Sequence, residues 1–593
     1  MVRTARRSRS SEREEVGAGG HGPAAPTATA PPEIVKGGQR LGELLVDAKL
    51  IDRSQLAEAL LQQADTGQRI GRLLVQQGML DERDLVLVLA EQLGLEIADL
   101  GQSVPEKDAI AVMPESVARE NHVVPLRFDG NILEVVAADP SDELVGKLTK
   151  TVNHPVRLLV APASDVQRAL DGSYRALVGI ERFVGAFEKT SAGRLSAEPA
   201  AEELAGVDAP VVQVVNLLIT QALRDRASDV HIEPQDDKVQ IRYRIDGALH
   251  QALDLPGTMG PALVSRLKIM AGMNIVERRR PQDGQIAMDV DGRAIDIRVA
   301  TVATIWGEKC VLRILDKSRP LYRLGDLGMP DDTHHTYGKL IRAPFGMVIC
   351  AGPTGSGKTT TLYATLTEIN EAHRNIMTIE DPVEYVFPSI NQIQINEQAG
   401  ISFAGGLKSI LRQDPDVILV GEVRDAETAR IAVQSALTGH FVLSSLHGTD
   451  SVAALHRLLD MGIESFLIAS AVVAVVGQRL VRKICSFCKA PYKPTAEELA
   501  FYEEGGGKPK TKWFEGKGCN FCAGTGYQDR IGVYELLRIT PEIKRLVVGW
   551  ATQEELRRMA VSQGMRTLAD EGIRLVTEDV TTIAEVIRGI YAF

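Results

Sequence analysis

Three absences narrow the classes of protein to which this chain can belong. It has only six cysteines in 593 residues, too few for a disulfide-stapled secreted scaffold. It has no uncharged apolar run of the roughly 18–20 residues that a helix needs to cross a bilayer, and no apolar segment follows the N-terminal arginines as a secretory signal requires. Its net charge of −11 disfavours broad nucleic-acid binding. We therefore expect a cytoplasmic protein that binds no nucleic acid.

The rest of the composition is that of a folded protein. Hydrophobic residues make up 44% of the chain and charged residues 24%, values unlike those of collagen, mucins or wholly disordered chains. A single hydrophobic core rarely extends beyond about 250–300 residues, so this length predicts three or more folded units. The longest apolar stretch, Ser465 to Gln478, lies between Glu464 and Arg479, and we interpret it as a buried helix.

The composition changes along the chain and predicts its domains. Residues 1–36 are rich in Arg, Ser, Glu, Ala and Pro and cannot bury enough apolar surface to become ordered, so we predict a disordered arm. We expect a helical and α+β N-terminal domain over 37–175 and a linker of low periodicity over 176–206. A small α+β domain over 207–325 then precedes a multi-stranded α/β domain over 326–593.

An internal repeat opens the N-terminal domain. Residues 40–63 and 69–92 align at an offset of 29 residues, with nine identities in 24. Each copy predicts two helices joined by a turn, and Asp52 and Asp81 stand where a helix N-cap belongs. Three later runs have the apolar character of strands, namely Val123–Leu126, Ile132–Ala137 and Val156–Val160.

A phosphate-binding loop is the strongest motif in the chain. Gly352-x4-Gly357-Lys358-Thr359 follows an apolar strand and precedes a helical pattern, which is the context that such a loop requires. Its glycines let backbone amides converge on phosphates, and the start of the helix adds partial positive charge. We predict that Lys358 contacts the β- and γ-phosphates and that Thr359 ligates Mg²⁺. The predicted nucleotide-binding residues are Gly352, Pro353, Thr354, Gly355, Ser356, Gly357, Lys358, Thr359 and Thr360.

Two acidic clusters follow later strands of the same domain. Glu380 and Asp381 come at the end of one predicted strand with Glu384 close by, and Glu422 follows the strand Val417–Val420. Phosphate-loop enzymes use an acid in this place to act on the attacking water, so we assign Glu422 to orienting and deprotonating it. Glu380 is a second candidate catalytic acid, and Asp381 and Glu384 are candidate ligands of the magnesium nucleotide.

Two histidines flank the predicted strand Phe441–Ser444. A single histidine is usually structural, but His440 and His447 lie at the two ends of one strand in a domain that carries a nucleotide site. We predict that both sense the γ-phosphate across a subunit interface.

Four of the six cysteines form two close pairs. Cys485-x2-Cys488 and Cys519-x2-Cys522 are separated by 30 residues, an array that suits tetrahedral Zn²⁺. Because four thiolates leave no position for a reactive water, we predict a structural zinc arm over 485–522. Free thiols or a redox pair are the alternative.

These motifs together resemble the hexameric secretion ATPases of type II secretion and type IV pilus assembly, the GspE/PilB family. The resemblance runs from about residue 206 to 593 and rests on the phosphate loop, TIEDPVEY, LRQDPDVILVGEVRD, TGHFVLSSLH and the four cysteines, with ASDVHIEP, YRIDG and RPQDGQ in the second domain. It implies a RecA-like motor domain, a PAS-like second domain, a ring of six copies with ATP between subunits, and a membrane platform protein as partner.

The resemblance also implies catalytic arginines from the second domain. The matching positions are Arg266, Arg279, Arg293 and Arg298, which would stabilise charge on the departing phosphate. Family members often carry Arg after the PQDG motif, whereas this chain carries Gln285.

The repeat resembles the MshEN-type receptor of cyclic-di-GMP that some of these ATPases carry. The implied ligand-binding residues are Arg40, Leu41, Gly42, Gln63, Arg69, Ile70, Gly71 and Gln92. Where the first copy often has Gly this chain has Lys49, while the second copy keeps Gly78. The alternative is that both copies are helical adaptors that dock the platform protein.

We therefore predict an ATPase that uses ATP and Mg²⁺ to drive pilin or pseudopilin assembly at the inner membrane, with cyclic-di-GMP as regulator and Zn²⁺ as a structural ion. A DNA-uptake or conjugation ATPase with the same motor is the nearest alternative within the class. A non-hydrolysing ATP-bound scaffold, or a second-messenger receptor whose ATPase is incidental, is the alternative from another class.

Overall fold

The computed structural model divides into two compact units, Met1–Leu95 and Glu96–Phe593. The residues that it describes are 41–101, 103–191, 209–316, 322–387 and 389–591. The arm predicted over 1–36 and the predicted ligand residue Arg40 lie outside the described residues. The predicted N-terminal domain 37–175 stays a prediction; its repeats lie in the first unit, and the residues from Glu96 onward lie in the second unit, together with both later domains.

The described part of the first unit consists of four helices. They are α1 (Leu41–Asp47), α2 (Arg53–Thr66), α3 (Ile70–Gln76) and α4 (Glu82–Leu93). Asp52 caps α2 by accepting hydrogen bonds from the amides of Ser54 and Gln55 at 2.8 and 2.9 Å. Asp81 caps α4 through the amide of Arg83 at 2.8 Å. The predicted pair of helices in each repeat and both caps are confirmed.

Gly42 and Gly71, at equivalent positions of the two repeats, make equivalent close contacts. A Cβ on Gly42 would lie 2.5 Å from Leu56 Cδ1, and a Cβ on Gly71 would lie 2.9 Å from Leu85 Cδ1. In each repeat, therefore, the glycine lets the first helix approach the second, so close packing alone explains both glycines.

Lys49 and Gly78 occupy equivalent turns with the same backbone conformation. Their φ angles are 58° and 66°, in the left-handed region that costs a non-glycine residue about 1 kcal/mol. The glycine of this motif position thus serves the turn, and Lys49 adopts the same turn at a small cost in stability.

The second unit opens with a small α+β lobe over 96–175. Its elements are α5 (Lys107–Val112), α6 (Glu115–Glu120), β1 (Val123–Asp129), β2 (Ile132–Ala137), α7 (Asp142–Val152), β3 (Val156–Val160) and α8 (Ala163–Ser173). β2 pairs antiparallel with β1 and parallel with β3. The three strands predicted in this range are confirmed.

The predicted linker 176–206 is corrected over its first half. Helix α9 (Ile180–Ser191) presents Ile180, Phe183, Val184 and Phe187 to the core of the following domain. These residues recur at helical spacing, a pattern that the surrounding Gly, Ala, Ser and Glu obscured. Residues 192–206 lie outside the described part of the chain.

The second domain is an antiparallel sheet with two helices. Its elements are α10 (Pro210–Arg224), β4 (Asp229–Pro234), β5 (Lys238–Ile245), β6 (Ala248–Pro256), α11 (Gly260–Met270), β7 (Gln282–Val290), β8 (Arg293–Thr304) and β9 (Gly307–Asp316). The strand order is β6-β5-β4-β9-β8-β7. Burial alternates along β5, because one face of the sheet packs with α10 and α11 in a shared core.

The rest of the unit is an α/β domain, the motor domain below. Its helices are α12 (Asp331–Leu340), α13 (Lys358–Ile369), α14 (Phe403–Ile410), α15 (Ala426–Leu437), α16 (Ser451–Asp460), α17 (Ser465–Ala471), α18 (Ala496–Glu504), α19 (Pro541–Val548), α20 (Gln553–Ser562), α21 (Leu568–Thr577) and α22 (Ile583–Val586). Its strands are β10 (Gly346–Ala351), β11 (Ile376–Glu380), β12 (Asn391–Gln394), β13 (Val417–Val420), β14 (Phe441–Leu446), β15 (Val472–Ile484), β16 (Lys489–Tyr492), β17 (Trp513–Gly516) and β18 (Tyr527–Arg538).

Seven of these strands form one sheet in the order β12-β11-β13-β14-β10-β15-β18. All neighbours are parallel except β15 and β18. The strands β10, β11, β13 and β14 are buried along their whole length, as continuous apolar runs between two layers of helices require. Because parallel strands end at the same edge, the residues that follow β10, β11, β13 and β14 meet there.

The interpretation of Ser465–Gln478 as one buried helix is wrong beyond Ala471. Helix α17 ends there and β15 begins at Val472, where the β-branched run VVAVV favours a strand. Within the described residues, no helix combines the length and apolar character needed to cross a membrane.

Candidate functional site

The phosphate loop lies between β10 and α13, as predicted. Gly355 and Gly357 have φ angles of 77° and 87°, which only glycine adopts without strain. A Cβ on Gly352 would lie 2.6 Å from the carbonyl oxygen of Gln478, so the loop is also packed tightly against β15. This backbone path ends at the start of α13, where free amide hydrogens and the helix dipole favour an anion.

Lys358 is the first residue of α13, and its side chain lies against the phosphate loop. Its Nζ donates to the carbonyl oxygens of Gly352 at 2.9 Å and Pro353 at 3.0 Å. Burial lowers the pKa of Lys358, the charge of Arg479 acts in the same direction, and the charge of Glu422 opposes both. The ammonium group of Lys358 is thus held within the phosphate loop, close to the carboxylate of Glu422.

Glu422 follows β13 and lies at this edge of the sheet. Its carboxylate pairs with the guanidinium of Arg424, whose Nη1 lies 3.4 Å from Asp381 Oδ2. Asp381 follows β11, so both predicted acidic clusters contribute one residue to a continuous row. A partly exposed carboxylate next to the phosphate cradle is well placed to orient and accept a proton from water.

The two predicted histidines lie at opposite edges of the sheet. His447 follows β14, and its Nε2 lies 3.6 Å from Glu422 Oε2. His440 precedes the same strand, where its Nδ1 lies 3.0 Å from the carbonyl oxygen of Ser435. A six-residue strand is about 20 Å long, so within one copy of the chain His440 lies far from Glu422, and its predicted role across a subunit interface stays a prediction.

Glu380 is buried away from the row of exposed acids. Its side chain, in a residue only 3% exposed, accepts hydrogen bonds from the hydroxyls of Tyr363 and Thr378 and, at 3.2 Å, from Gln392 Nε2. Because Tyr363 lies on α13, Glu380 braces the helix that carries Lys358. The structure therefore gives Glu380 a supporting position and not a direct catalytic one.

Glu384 faces the second domain. Burial raises the pKa of Glu384, as does the charge of Glu380, while the charges of Arg298 and Arg313 lower it. Arg298 and Arg313 are paired across β8 and β9. Of the four predicted arginines, Arg298 is thus the one whose charge acts on an acid of the motor domain, and Arg313 joins it without having been predicted.

A cleft of about 490 Å³ opens beside the phosphate loop. Gly357 and Thr360 line it, as does Glu384. Its apolar and aromatic lining comes from both domains and includes Tyr322, Leu327, Tyr534, Leu223 and Ile314. Such surfaces suit a nucleobase. Sequence reasoning missed these residues, because each is single and stands outside any motif.

The other predicted arginines occupy different surroundings. Arg266 is a partly buried residue of α11, and Arg279 lies exposed in the loop before β7, its amide donating to Glu277. Neither is among the described residues that line the cleft. Gln285, where family members often carry Arg, lies 3.3 Å from Asp296 Oδ2.

Arg293 belongs to a cluster of six charged side chains that joins the α+β lobe to the second domain. We call it the charge cluster, and it consists of Glu115, Arg119, Asp171, Arg224, Asp291 and Arg293. Arg293 Nη2 donates to Asp171 Oδ2 at 3.0 Å, and Arg224 Nε donates to Asp291 Oδ2 at 2.9 Å. Within one copy of the chain Arg293 is thus held in this alternation of acids and guanidinium groups, and its role in phosphate chemistry stays a prediction.

The four paired cysteines lie together where the two ends of the predicted zinc arm, residues 485–522, meet. All four Sγ atoms lie within 4.8 Å of one another, and three of the pairs are 3.7–3.9 Å apart. Four thiolates at about 2.3 Å from one tetrahedral ion would lie about 3.8 Å apart. Amides of Gly518, Cys519 and Gly526 donate to these sulfurs at 3.1–3.3 Å. The donor set fits Zn²⁺, whereas Cys310 and Cys350 are buried elsewhere.

Two family models match the chain. The model described as "Type II/IV secretion system protein" matches residues 205–588, and the model described as "MshEN domain" matches residues 93–179. The second match begins directly after the repeats, so it covers the α+β lobe and not the residues predicted to bind cyclic-di-GMP.

Curated proteins of two named systems are similar over most of their length. The type IV pilus assembly ATPase PilB of Myxococcus xanthus is 39% identical over 558 residues, 92% of this chain and 98% of that protein. The type II secretion system protein E of Xanthomonas campestris pv. campestris is 38% identical over 563 residues, 93% of this chain and 98% of that protein. The type II secretion system protein HxcR of Pseudomonas aeruginosa is 48% identical over 380 residues, 64% and 77% of the two chains.

Proposed function

The chain belongs to the family of type II/IV secretion system proteins and is an ATPase, and from that premise we propose that it is a magnesium-dependent motor for the assembly of pilin-like subunits. Relatives named for pilus assembly and for type II secretion are 39% and 38% identical over 98% of their own lengths. Because the two values are nearly equal, the proposal names the step common to both systems, which is pilin or pseudopilin assembly.

The observation that carries the proposal is the meeting of Lys358, Glu422 and His447 at one edge of the sheet. Lys358 and the loop amides bind the phosphates of ATP. Glu422 orients a water against the γ-phosphorus and takes its proton as the bond to the bridging oxygen breaks. His447, next to Glu422, contacts the γ-phosphate. Thr359, Asp381 and Glu384 are the residues that would hold Mg²⁺, and the ion would neutralise phosphate charge.

Steady-state ATP hydrolysis by the full chain tests this site. Glu422→Gln should lower turnover at least 100-fold, because the amide cannot accept the proton. Glu427→Gln is the matched control, since Glu427 pairs with Lys408 on the surface and should leave turnover within twofold. Chelating Mg²⁺ should abolish hydrolysis by the wild type. Equal turnover in Glu422→Gln and wild type would refute the assignment of Glu422.

Cyclic-di-GMP is the regulator that we propose for the repeats. The repeated Arg-Leu/Ile-Gly starts and terminal Gln residues support this, as does the adjoining match to the MshEN domain model. Arg40, Leu41, Gln63, Arg69, Ile70 and Gln92 remain the proposed ligand residues, while packing already accounts for Gly42 and Gly71.

Calorimetric titration of the full chain with cyclic-di-GMP tests the receptor. Arg69→Ala should weaken binding at least tenfold, whereas Arg72→Ala, an exposed arginine on the same helix, should leave it within twofold. Binding that is equally tight in both variants would place the ligand elsewhere, and absence of binding by the wild type would leave the repeats as adaptors.

The zinc arm 485–522 is proposed to be a structural metal site. The spacing of the sulfurs and the amide donors around them support it. Metal analysis of the full chain should give one zinc per chain, and Cys522→Ala should lose it. Cys310→Ala is the control, because Cys310 lies in the core of the second domain. Zinc retained by Cys522→Ala would contradict the proposal.

Assembly and location complete the proposal. We propose a ring of six copies, cytoplasmic and held at the inner membrane through a platform protein, with a PAS-like second domain. We also propose that Arg298 supplies positive charge to the nucleotide site and that Arg266 and Arg279 act only between copies. Native mass spectrometry with a non-hydrolysable ATP analogue should show hexamers, and exclusively monomeric protein under those conditions would refute the ring.

A further inference from the structure

Gln478 and Arg479 lie on β15 immediately beyond the point where that strand pairs with the last residue of β10. Gly477 is paired with Ala351, so the next two residues of β15 stand beside the phosphate loop. Both are almost completely buried, with 1% and 4% exposure. Buried polar side chains are retained where their hydrogen bonds are satisfied, and the contacts of these two lead to two different loops.

Gln478 contacts the phosphate loop and the helix after it. Its Oε1 accepts a hydrogen bond from Thr361 Oγ1 at 2.9 Å, and Thr361 lies one turn into α13. A Cβ on Gly357 would lie 2.8 Å from Gln478 Nε2. The side chain of Gln478 therefore packs against the turn of the phosphate loop that precedes Lys358.

Arg479 contacts the loop that carries His447. Its Nη2 donates to the carbonyl oxygen of Thr449 at 2.6 Å, two residues after His447. The next residue, Asp450, is also held in place. Its side chain caps α16 by accepting a hydrogen bond from the amide of Ala453 at 2.8 Å. The guanidinium of Arg479 thus connects β15 to the backbone of residues 447–450, the loop that carries His447.

We propose that Arg479 is a positioning residue for the ATPase, which holds the 447–450 loop so that His447 stays next to Glu422. The inference rests on the proposed role of His447. A fork-shaped guanidinium fixes a carbonyl at a defined distance and angle, whereas an ammonium is a point charge on a flexible chain. Small displacements of a reacting group lower rates strongly. Replacing the guanidinium of Arg479 should therefore slow turnover without removing any group that contacts ATP.

The test measures kcat and nucleotide affinity in Arg479→Lys, His447→Asn and the double variant. Arg479→Lys should lower kcat 10- to 100-fold and change the affinity for a fluorescent ADP analogue by less than threefold. In the His447→Asn background the same substitution should cost less than twofold, because the group that it positions is already gone. An equal cost in both backgrounds would overturn the inference.

Controls separate this inference from the proposed role of His447 and from misfolding. If His447→Asn alone keeps full kcat, the role of His447 fails; if it lowers kcat and Arg479→Lys does not, the positioning role fails. Arg482→Lys is the matched control, because Arg482 is a partly buried residue of the same strand that pairs with Glu585 at 2.7 Å, and it should keep kcat within twofold. Hydrogen exchange should speed up at 447–450 in Arg479→Lys, and unchanged exchange there would refute the proposal even if that variant were inactive.

Discussion

The nucleotide site and the charge cluster are both built from charged side chains, but their residues are distributed differently along the chain. The nucleotide site takes its residues from short contiguous motifs, each directly after a parallel strand. The charge cluster takes its residues from Glu115 to Arg293, located on α6, α8, α10, the turn between β7 and β8, and the start of β8. A strand end can be recognised from a local pattern, whereas a lone arginine in an ordinary helix cannot be assigned a partner.

The comparison also shows that the same residue type serves different ends. Arg293 and Arg298 are both on β8, five residues apart. Arg298 acts on Glu384 at the motor domain, whereas Arg293 pairs with Asp171 in the α+β lobe. Residues five apart on a strand lie on opposite faces of the sheet, so the direction in which each arginine points decides its role.

The largest expected effect is at the nucleotide site. Lys358→Ala should lower ATP turnover by about 10²–10³-fold, the usual loss when one charge-stabilising donor is removed. The thermal midpoint should change little, because Lys358 donates only to carbonyl oxygens of its own loop. Hydrolysis assays and a thermal melt on the same sample check this, and a large fall in the melting temperature would assign Lys358 a structural role as well.

The next largest effect should be on stability, at the charge cluster. Arg224, whose side chain is 6% exposed, pairs with both Glu115 and Asp291, so Arg224→Ala leaves two acids without it. Both acids keep their contact with Arg119 and Glu115 is 38% exposed, so we expect a loss of about 1.5–3 kcal/mol, the range for hydrogen bonds to charged groups. We expect faster proteolysis of the junction between the α+β lobe and the second domain.

Denaturant titration and limited proteolysis measure that loss. Arg226→Ala is the control, because the side chain of Arg226 is 40% exposed whereas that of Arg224 is 6% exposed, and surface pairs contribute about 0–1 kcal/mol. A fall in stability no larger for Arg224→Ala than for Arg226→Ala would show that the charge cluster does not hold the junction.

A third prediction separates the two arginines of β8. Arg298→Ala should lower kcat by about tenfold, since it removes positive charge next to the nucleotide cleft, and should leave stability almost unchanged. Arg293→Ala should do the reverse, lowering the midpoint of unfolding while kcat stays within twofold. Steady-state kinetics and thermal melts of both variants check this, and the opposite assignment would return Arg293 to the catalytic candidates.

The smallest effect concerns the first repeat. Lys49→Gly should stabilise the unit of residues 41–95 by about 1 kcal/mol, because glycine adopts the left-handed turn without strain. The affinity for cyclic-di-GMP should stay within twofold. Hydrogen exchange of α1 and α2 and a calorimetric titration measure the two quantities, and a large gain in affinity would mean that Lys49 obstructs the ligand.

Much of the fold followed from local pattern. The helix pairs of the repeats, the strands of the α+β lobe and the elements around the phosphate loop were predicted, because caps, apolar periodicity and glycine spacing act over a few residues. Two predictions failed, each for its own reason. Helix α9 was hidden in a stretch of low apolar content, and Val472–Gln478 became a strand because a place between β10 and β18 was available to it.

The candidate site divides in the same way. Lys358, Asp381, Glu422 and His447 could be found from the sequence, because each stands at a strand end in a motif. Glu380 and His440 belong to equally clear motifs, yet one side chain turns into the domain and the other lies at the far edge of the sheet. Tyr322, Arg313 and Arg479 carried no motif that could have identified them.

The sequence by itself determined which segments bind phosphate, which cysteines could share a metal and which residues repeat, since these depend on residue type and spacing along the chain. Only the tertiary structure decided which side chains face the cleft, which arginine meets which acid and where the first unit ends. Those outcomes depend on which surfaces pack together, and packing joins residues hundreds of positions apart whose separation leaves no local pattern.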